Sequence, residues 1–230
     1  MMKKNILCIV FTILIVSCST DSESNPSEYI DILKEANTIS VVPENKANPF
    51  DFKGSLYYNA LILYRENKKA PNSITGITEQ IQFISGKFNS ASKTAKNLIV
   101  FDDQIVQSIM DDPDNIMINI VQGSSLATSV KSNLTSFLQN LILHRDDEFD
   151  VIYSYIISYE NVVLENGVLT KDEKDTILTI TSISRYSLYS ETQRKDRDWE
   201  TSVGSKISRP FFLCNEVSII SIIALLKVLI

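Results

Sequence analysis

Glu160 sits where a charged group is least expected. It falls on the helical stripe set by Phe149, Ile152, Ile156 and Val163, which spacings of three and four place on one face. A carboxylate there must be paired, protonated or facing a cleft, because an isolated buried charge is costly. Arg185 lies on a later segment crowded with apolar residues and is the partner the pattern offers. Two chemistries follow. Glu160 and Arg185 form a buried ion pair that fixes helix register, or Glu160 serves as the acid of a hydrolase, which needs a second placed carboxylate across a cleft. No second carboxylate stands out, so no catalytic residue is assigned.

The remaining reactive types narrow the field. His144 is the single histidine, which excludes His-rich zinc sites and HExxH by count. It closes an apolar run and fits a helix C-terminal cation. Six scattered glycines form neither a P-loop nor a GxGxxG fingerprint. Asp111, Asp112 and Asp114 are oxygen-rich, but the calcium-loop Gly and Glu are missing around them, and Asp with Pro113 reads as turn chemistry. No metal and no cofactor are expected. Cys214 lacks a neighbouring base and reads as a small buried hydrophobe.

Cys18 carries a different chemistry. Lys3-Lys4 precede an apolar run from Asn5 to Val16, and Ile15-Val16-Ser17-Cys18 ends it. That is the three-part layout of a secretory signal, too short for a membrane span of about 20 apolar residues. The ending resembles a bacterial lipobox, which implies cleavage between Ser17 and Cys18 and acylation of Cys18. Several acyl chains would hold firmly where one would not, at about 0.8 kcal/mol per buried CH₂. Ser19 to Glu28 is polar and acidic, with too little to bury to offset its ordering entropy, and is expected to be a mobile tether. Ser19 is not the Asp of inner-membrane retention, so the resemblance favours the outer membrane, on either its periplasmic or its outer face. Loss of Lys3 and Lys4 makes the mature chain more acidic than the full chain's −6, a poor match to nucleic acid.

These residues need elements to hold them, and the body reads as helices. Residues 28–36 form a short amphipathic piece, and 38–48 read as a linker punctuated by Pro43 and Pro49. Asp51 is expected to cap a helix to about Asn67. Ile77, Ile81, Ile84, Phe88, Ala91, Ala95 and Leu98 define a second. Asp102-Asp103 cap a short one to about Met110, and 111–115 read as a turn. Leu126, Val130, Leu134, Phe137, Leu138 and Leu141 mark a helix ending near His144, with Asp146 or Asp147 capping the next. Asn166-Gly167 stops that one, and Thr170-Lys171-Asp172-Glu173 is a capping box. The helix it opens, to about Thr192, is apolar around much of its circumference and is expected to be the most buried.

Asn48-Pro49-Phe50-Asp51, Ile156-Ile157-Ser158-Tyr159-Glu160, Leu169 to Lys174, Ser182 to Ser187 and Asp198-Trp199 together resemble a group of uncharacterised bacterial lipoproteins. The resemblance covers most of residues 48–200. It implies a helical lipoprotein and brings no activity.

The expected fold is all-α, an antiparallel multi-helix, bundle-like domain behind a signal peptide and a tether. Residues 1–17 are the signal, 18–47 the lipidated cysteine and linker, 48–209 the helical domain. Residues 210–230 form an apolar C-terminal segment with three readings: a closing core helix, a membrane contact, or a tail outside the domain's design. The expected function is a non-catalytic binding module of the cell envelope, held to the membrane by lipid, with an envelope protein or polymer as partner. A carboxylate-dependent hydrolase and a membrane-active C-terminus are the alternatives.

Overall fold

The protein is described by a computed structural model, which covers residues 41–68, 70–91, 101–202 and 214–230. The expected signal, Cys18 and the expected tether all fall within residues 1–40, outside the described residues, as do Ala95, Leu98 and the side chain of Trp199. The fold is all-α. The helices run α1 (Asp51–Asn67), α2 (Ile74–Ala91), α3 (Asp103–Asp111), α4 (Pro113–Gly123), α5 (Thr128–Leu143), α6 (Phe149–Glu165), α7 (Lys171–Ser202) and α8 (Cys214–Leu229).

Two helices organise the interior. α7 packs against α1, α6 and α8, while α8 also touches α2, α3 and α4. Their sequences differ in how they tolerate that crowding. α8 is apolar on nearly every side: Val217, Ile219, Ile220, Ile222, Ile223, Ala224, Leu225 and Leu226 are all buried. α7 mixes Ile177, Leu178, Ile180, Ile183 and Leu188 with buried Thr181, Ser182, Ser184, Ser187 and Ser190. Small hydroxyl residues let neighbouring backbones come close, and each must find a partner once buried. Ser184 donates to Ile180 O (2.9 Å) and Ser190 to Ser187 O (2.7 Å) on their own helix. Ser182 instead reaches α1, donating to Asp51 O (3.0 Å) and accepting from Gly54 N–H (3.0 Å). Gly54 allows that contact, since a Cβ there would lie 2.4 Å from both Ser182 Oγ and a Tyr186 ring carbon.

The local stop and start signals act as their chemistry dictates. Thr170 Oγ1 accepts from Glu173 N–H (3.2 Å) while the Glu173 carboxylate accepts from Thr170 N–H (2.9 Å), the reciprocal bonds of a capping box. Asp102 caps α3 through Ile105 N–H (2.8 Å). His144 ends α5 and its Nδ1 meets Asp147 Oδ2 (2.9 Å).

Several boundaries differ from the sequence-based reading. Residues 113–123, left without an element after an expected turn, are helical. Asp112 caps that helix through Asn115 N–H (3.2 Å), and Pro113 occupies its first turn, where a missing N–H costs nothing. Asp51 does not cap α1; Phe50 holds the cap position without a side-chain bond, and the Asp51 carboxylate is used elsewhere. Neither Asp146 nor Asp147 caps α6, whose cap position is Glu148. Residues 41–47, expected as linker, belong with the helical unit, which spans Val41–Ile230. The C-terminal segment is likewise not apart from the domain: α8 fills its centre, because a helix with so little polar surface is stable only when surrounded. No helix among the described residues is long and apolar enough to cross a membrane.

Candidate functional site

The polar centre of the molecule lies where α6, α7 and the start of α1 meet beneath residues 43–48. α6 delivers Glu160 on its buried stripe, and α7 delivers Thr181 and Arg185, one turn apart and so on the same face. Glu160 and Arg185 are both fully buried, at 0% exposure. Arg185 approaches Glu160 Oε1 through Nε and Nη2, each at 3.2 Å. The same oxygen accepts from Thr181 Oγ1 (2.7 Å) and Asn48 Nδ2 (2.8 Å). Glu160 Oε2 accepts from Asn45 Nδ2 (2.6 Å).

Arg185 is equally occupied. Nη1 donates to Pro43 O, and Nη2 donates to Asp51 Oδ1 (2.5 Å). Asp51 Oδ2 in turn accepts from Tyr186 Oη (3.1 Å). Burial, and after it the Asp51 charge, pushes the Tyr186 phenol up to about 12. Asn48 completes the set: its Nδ2 also donates to Leu178 O (3.0 Å), and its Oδ1 accepts from Phe50 N–H (2.8 Å). A buried charge pair is tolerated when surrounding hydrogen bonds satisfy its remaining lone pairs and protons, and that is the state of this cluster.

The structure thus brings Glu160 and Arg185 together and adds partners that the sequence reading did not assign: Pro43, Asn45, Asn48, Asp51 and Thr181. Thr181 was detectable from its spacing of four to Arg185. The asparagines were hidden by a polar, proline-flanked stretch whose composition is that of a linker. Ser17 and Cys18 lie outside the described residues.

Chemically, the cluster is closed. General acid–base work needs a carboxyl within hydrogen-bond reach of a substrate proton. Asp51 does lie near Glu160, but the space between the two carboxylates holds the Arg185 guanidinium. Cavities open elsewhere. One of about 160 Å³ is lined by Ile109, Ile142, Ile219 and Ile220, with Arg145 and Glu216. Others border Tyr64, Lys68 and Glu79, and Ile116, Ile120 and Lys227. Among the described residues no group of His, Cys, Asp and Glu could hold a metal ion.

A second buried polar group sits further along α7. Glu191 is held by Arg65 from α1 (2.6 Å) and by Arg194 (2.9 Å). Tyr57 Oη and Ser187 Oγ are 2.9 Å apart, and burial pushes the Tyr57 phenol up. On the α5–α6 side, Phe137 is stacked against Tyr159 at 4.3 Å and Tyr155 at 5.5 Å. Burial raises the Tyr159 phenol strongly.

No protein-family model, curated protein or solved structure matches this chain.

Proposed function

We propose that this protein is a cell-envelope lipoprotein: a helical, non-catalytic binding module tethered through an acylated Cys18. The observation that carries the reading is the sequence Ile15-Val16-Ser17-Cys18 at the end of an apolar run behind Lys3-Lys4, the layout of a signal followed by a lipidation site. The resemblance to uncharacterised bacterial lipoproteins supports it, and Ser19 after the cysteine favours the outer membrane. The partner is another envelope component, a protein or a polymer. The acidic balance of the chain argues against nucleic acid.

The non-catalytic side of the reading is supported by the state of Glu160. A hydrolytic carboxyl has to meet its substrate, whereas Glu160 is wholly covered and its oxygens accept from Asn45, Asn48, Thr181 and Arg185.

The test is the intact mass of the mature protein from membrane fractions, beside a Cys18→Ala variant. A chain beginning at Cys18 and carrying acyl chains, lost in the variant, is the expected result. A lipid-free chain beginning elsewhere would overturn the envelope reading.

A further inference from the structure

We propose that Pro43–Asn48 is a separately releasable clasp, a stretch of the chain seated as a peptide ligand in a socket made by Glu160, Arg185 and Tyr153. The socket grips successive positions with different chemistry. Arg185 Nη1 takes the Pro43 carbonyl. Tyr153 Oη donates to Glu44 O (3.0 Å). The two Glu160 oxygens take the side-chain amides of Asn45 and Asn48. Lys46 and Ala47, between the asparagines, are exposed. The segment also shapes itself, because Asn45 accepts from Ala47 N–H through Oδ1 (3.0 Å) and from Asn48 N–H through its carbonyl (3.0 Å).

Separability follows from what holds the clasp. The hydrophobic clusters are built by the helices; Val41 and Phe50 pack against them from the flanks of this region, and Pro43 and Asn48 are the two buried residues between. Between those flanks one small apolar ring, Pro43, is buried, and the named contacts to the socket are hydrogen bonds, which water replaces when the segment lifts. Glu160 would keep Thr181 and Arg185, and Arg185 would keep Asp51, since those groups sit on helices that stay in place. A unit held this way opens at lower free energy than the bundle unfolds.

The cellular role of the clasp rests on the tether reading above. Residues 41–48 would be the last part of the link between Cys18 and the helices, so a pull from the membrane reaches them first. Release of the clasp together with its Val41–Val42 flank frees residues 41–48 and adds up to about 25 Å of reach, at roughly 3.3 Å per extended residue. The clasp would then set two reaches for one anchored module.

Hydrogen exchange of the full-length protein tests this directly, read on a peptide covering 41–50 and on peptides from α6 and α7. In the wild type, 41–50 is expected to exchange at least about tenfold slower than a free peptide, yet faster than α7. Asn48→Ala, which loses the bonds to Glu160, Leu178 O and Phe50 N–H, is expected to speed exchange of 41–50 by about tenfold or more. α6 and α7 are expected to hold within about twofold. Should Asn48→Ala fail to fold, the milder Asn45→Ala is judged by the same criteria. Exchange of 41–50 at the free-peptide rate in the wild type would overturn the clasp. So would no change in either variant, or 41–50 and α7 accelerating together. The same exchange pattern is expected in Cys18→Ala, so failure of the lipid reading and failure of the clasp are told apart.

Discussion

The centre around Glu160 and the centre around α8 fill the same interior by opposite means. α8 buries isoleucine and leucine on almost every side, and each such side chain contributes about 1.5–3 kcal/mol by leaving water. That force is large but has little direction. Around Glu160 the gain is small, because desolvating a charge pair offsets most of its attraction. What the polar cluster supplies is position: Arg185 meets Glu160, Asp51 and Pro43 O at once, which ties α6, α7, α1 and the entering chain to one register. Stability thus resides mainly in α8 and its neighbours, and alignment mainly in the cluster on α7.

Removal of α8 is expected to cost the most stability. A chain ending at Arg209 strips the cover from α2, α3, α4 and α7 together, and it is expected to lose cooperative thermal unfolding. A soluble truncated chain with an unchanged melting temperature would show that α8 is dispensable. Next is Arg185→Leu, which leaves Glu160 and Asp51 without their counter-charge. Breaking one partner of a buried pair costs about 3–5 kcal/mol, measurable by urea denaturation. Replacing Glu160 and Arg185 together by leucine is expected to recover the Glu160 share of that loss, with Asp51 still lacking its counter-charge, and a double-mutant cycle that gave simple additivity would deny the coupling.

Gly54→Ala probes the closeness that serines allow. Its Cβ would press on Ser182 and Tyr186 at 2.4 Å, and the overpacking is expected to cost about 1–3 kcal/mol. A cost near zero would mean that α1 and α7 stand further apart. The smallest effect is alkaline. Tyr186 holds its proton to about 12, above the ordinary 10.0, first through burial and then through the Asp51 charge. The folded value is the higher one, so its stabilisation is complete below pH 10 and is lost as pH rises through 12. Tyr57 and Tyr159 shift in the same direction through burial. Tyrosinate absorbance against pH is expected to show a late-titrating group that moves down, but not fully to 10.0, in Asp51→Asn.

Much of the helical plan was legible because it rests on local rules. The stripe of α6, the Thr170–Glu173 box and the dense apolar face of α7 each state themselves within a few turns of sequence. α4 was missed although Asp112 and Pro113 carry its start signal, since the same residues also spell a turn. In sequence Asp51 reads as a cap, because aspartate usually serves that purpose. Nothing near it in sequence shows that a guanidinium more than a hundred residues away competes for the same carboxylate. Residues 41–47 read as linker for the corresponding reason: hydrogen bonds to distant Glu160, Arg185 and Tyr153 hold them, and composition does not record such bonds.

The all-α class, most of the helix starts and stops, and the anomaly of a carboxylate on the α6 stripe are encoded locally in the chain. These follow from side-chain periodicity and backbone capping, whose range is a few residues. Packing between helices sets the rest: Asn45 and Asn48 close over Glu160, Asp51 serves Arg185, and α8 stands at the centre of the domain. Those outcomes depend on which surfaces exclude water from one another, a property of the assembled helices and not of any one of them.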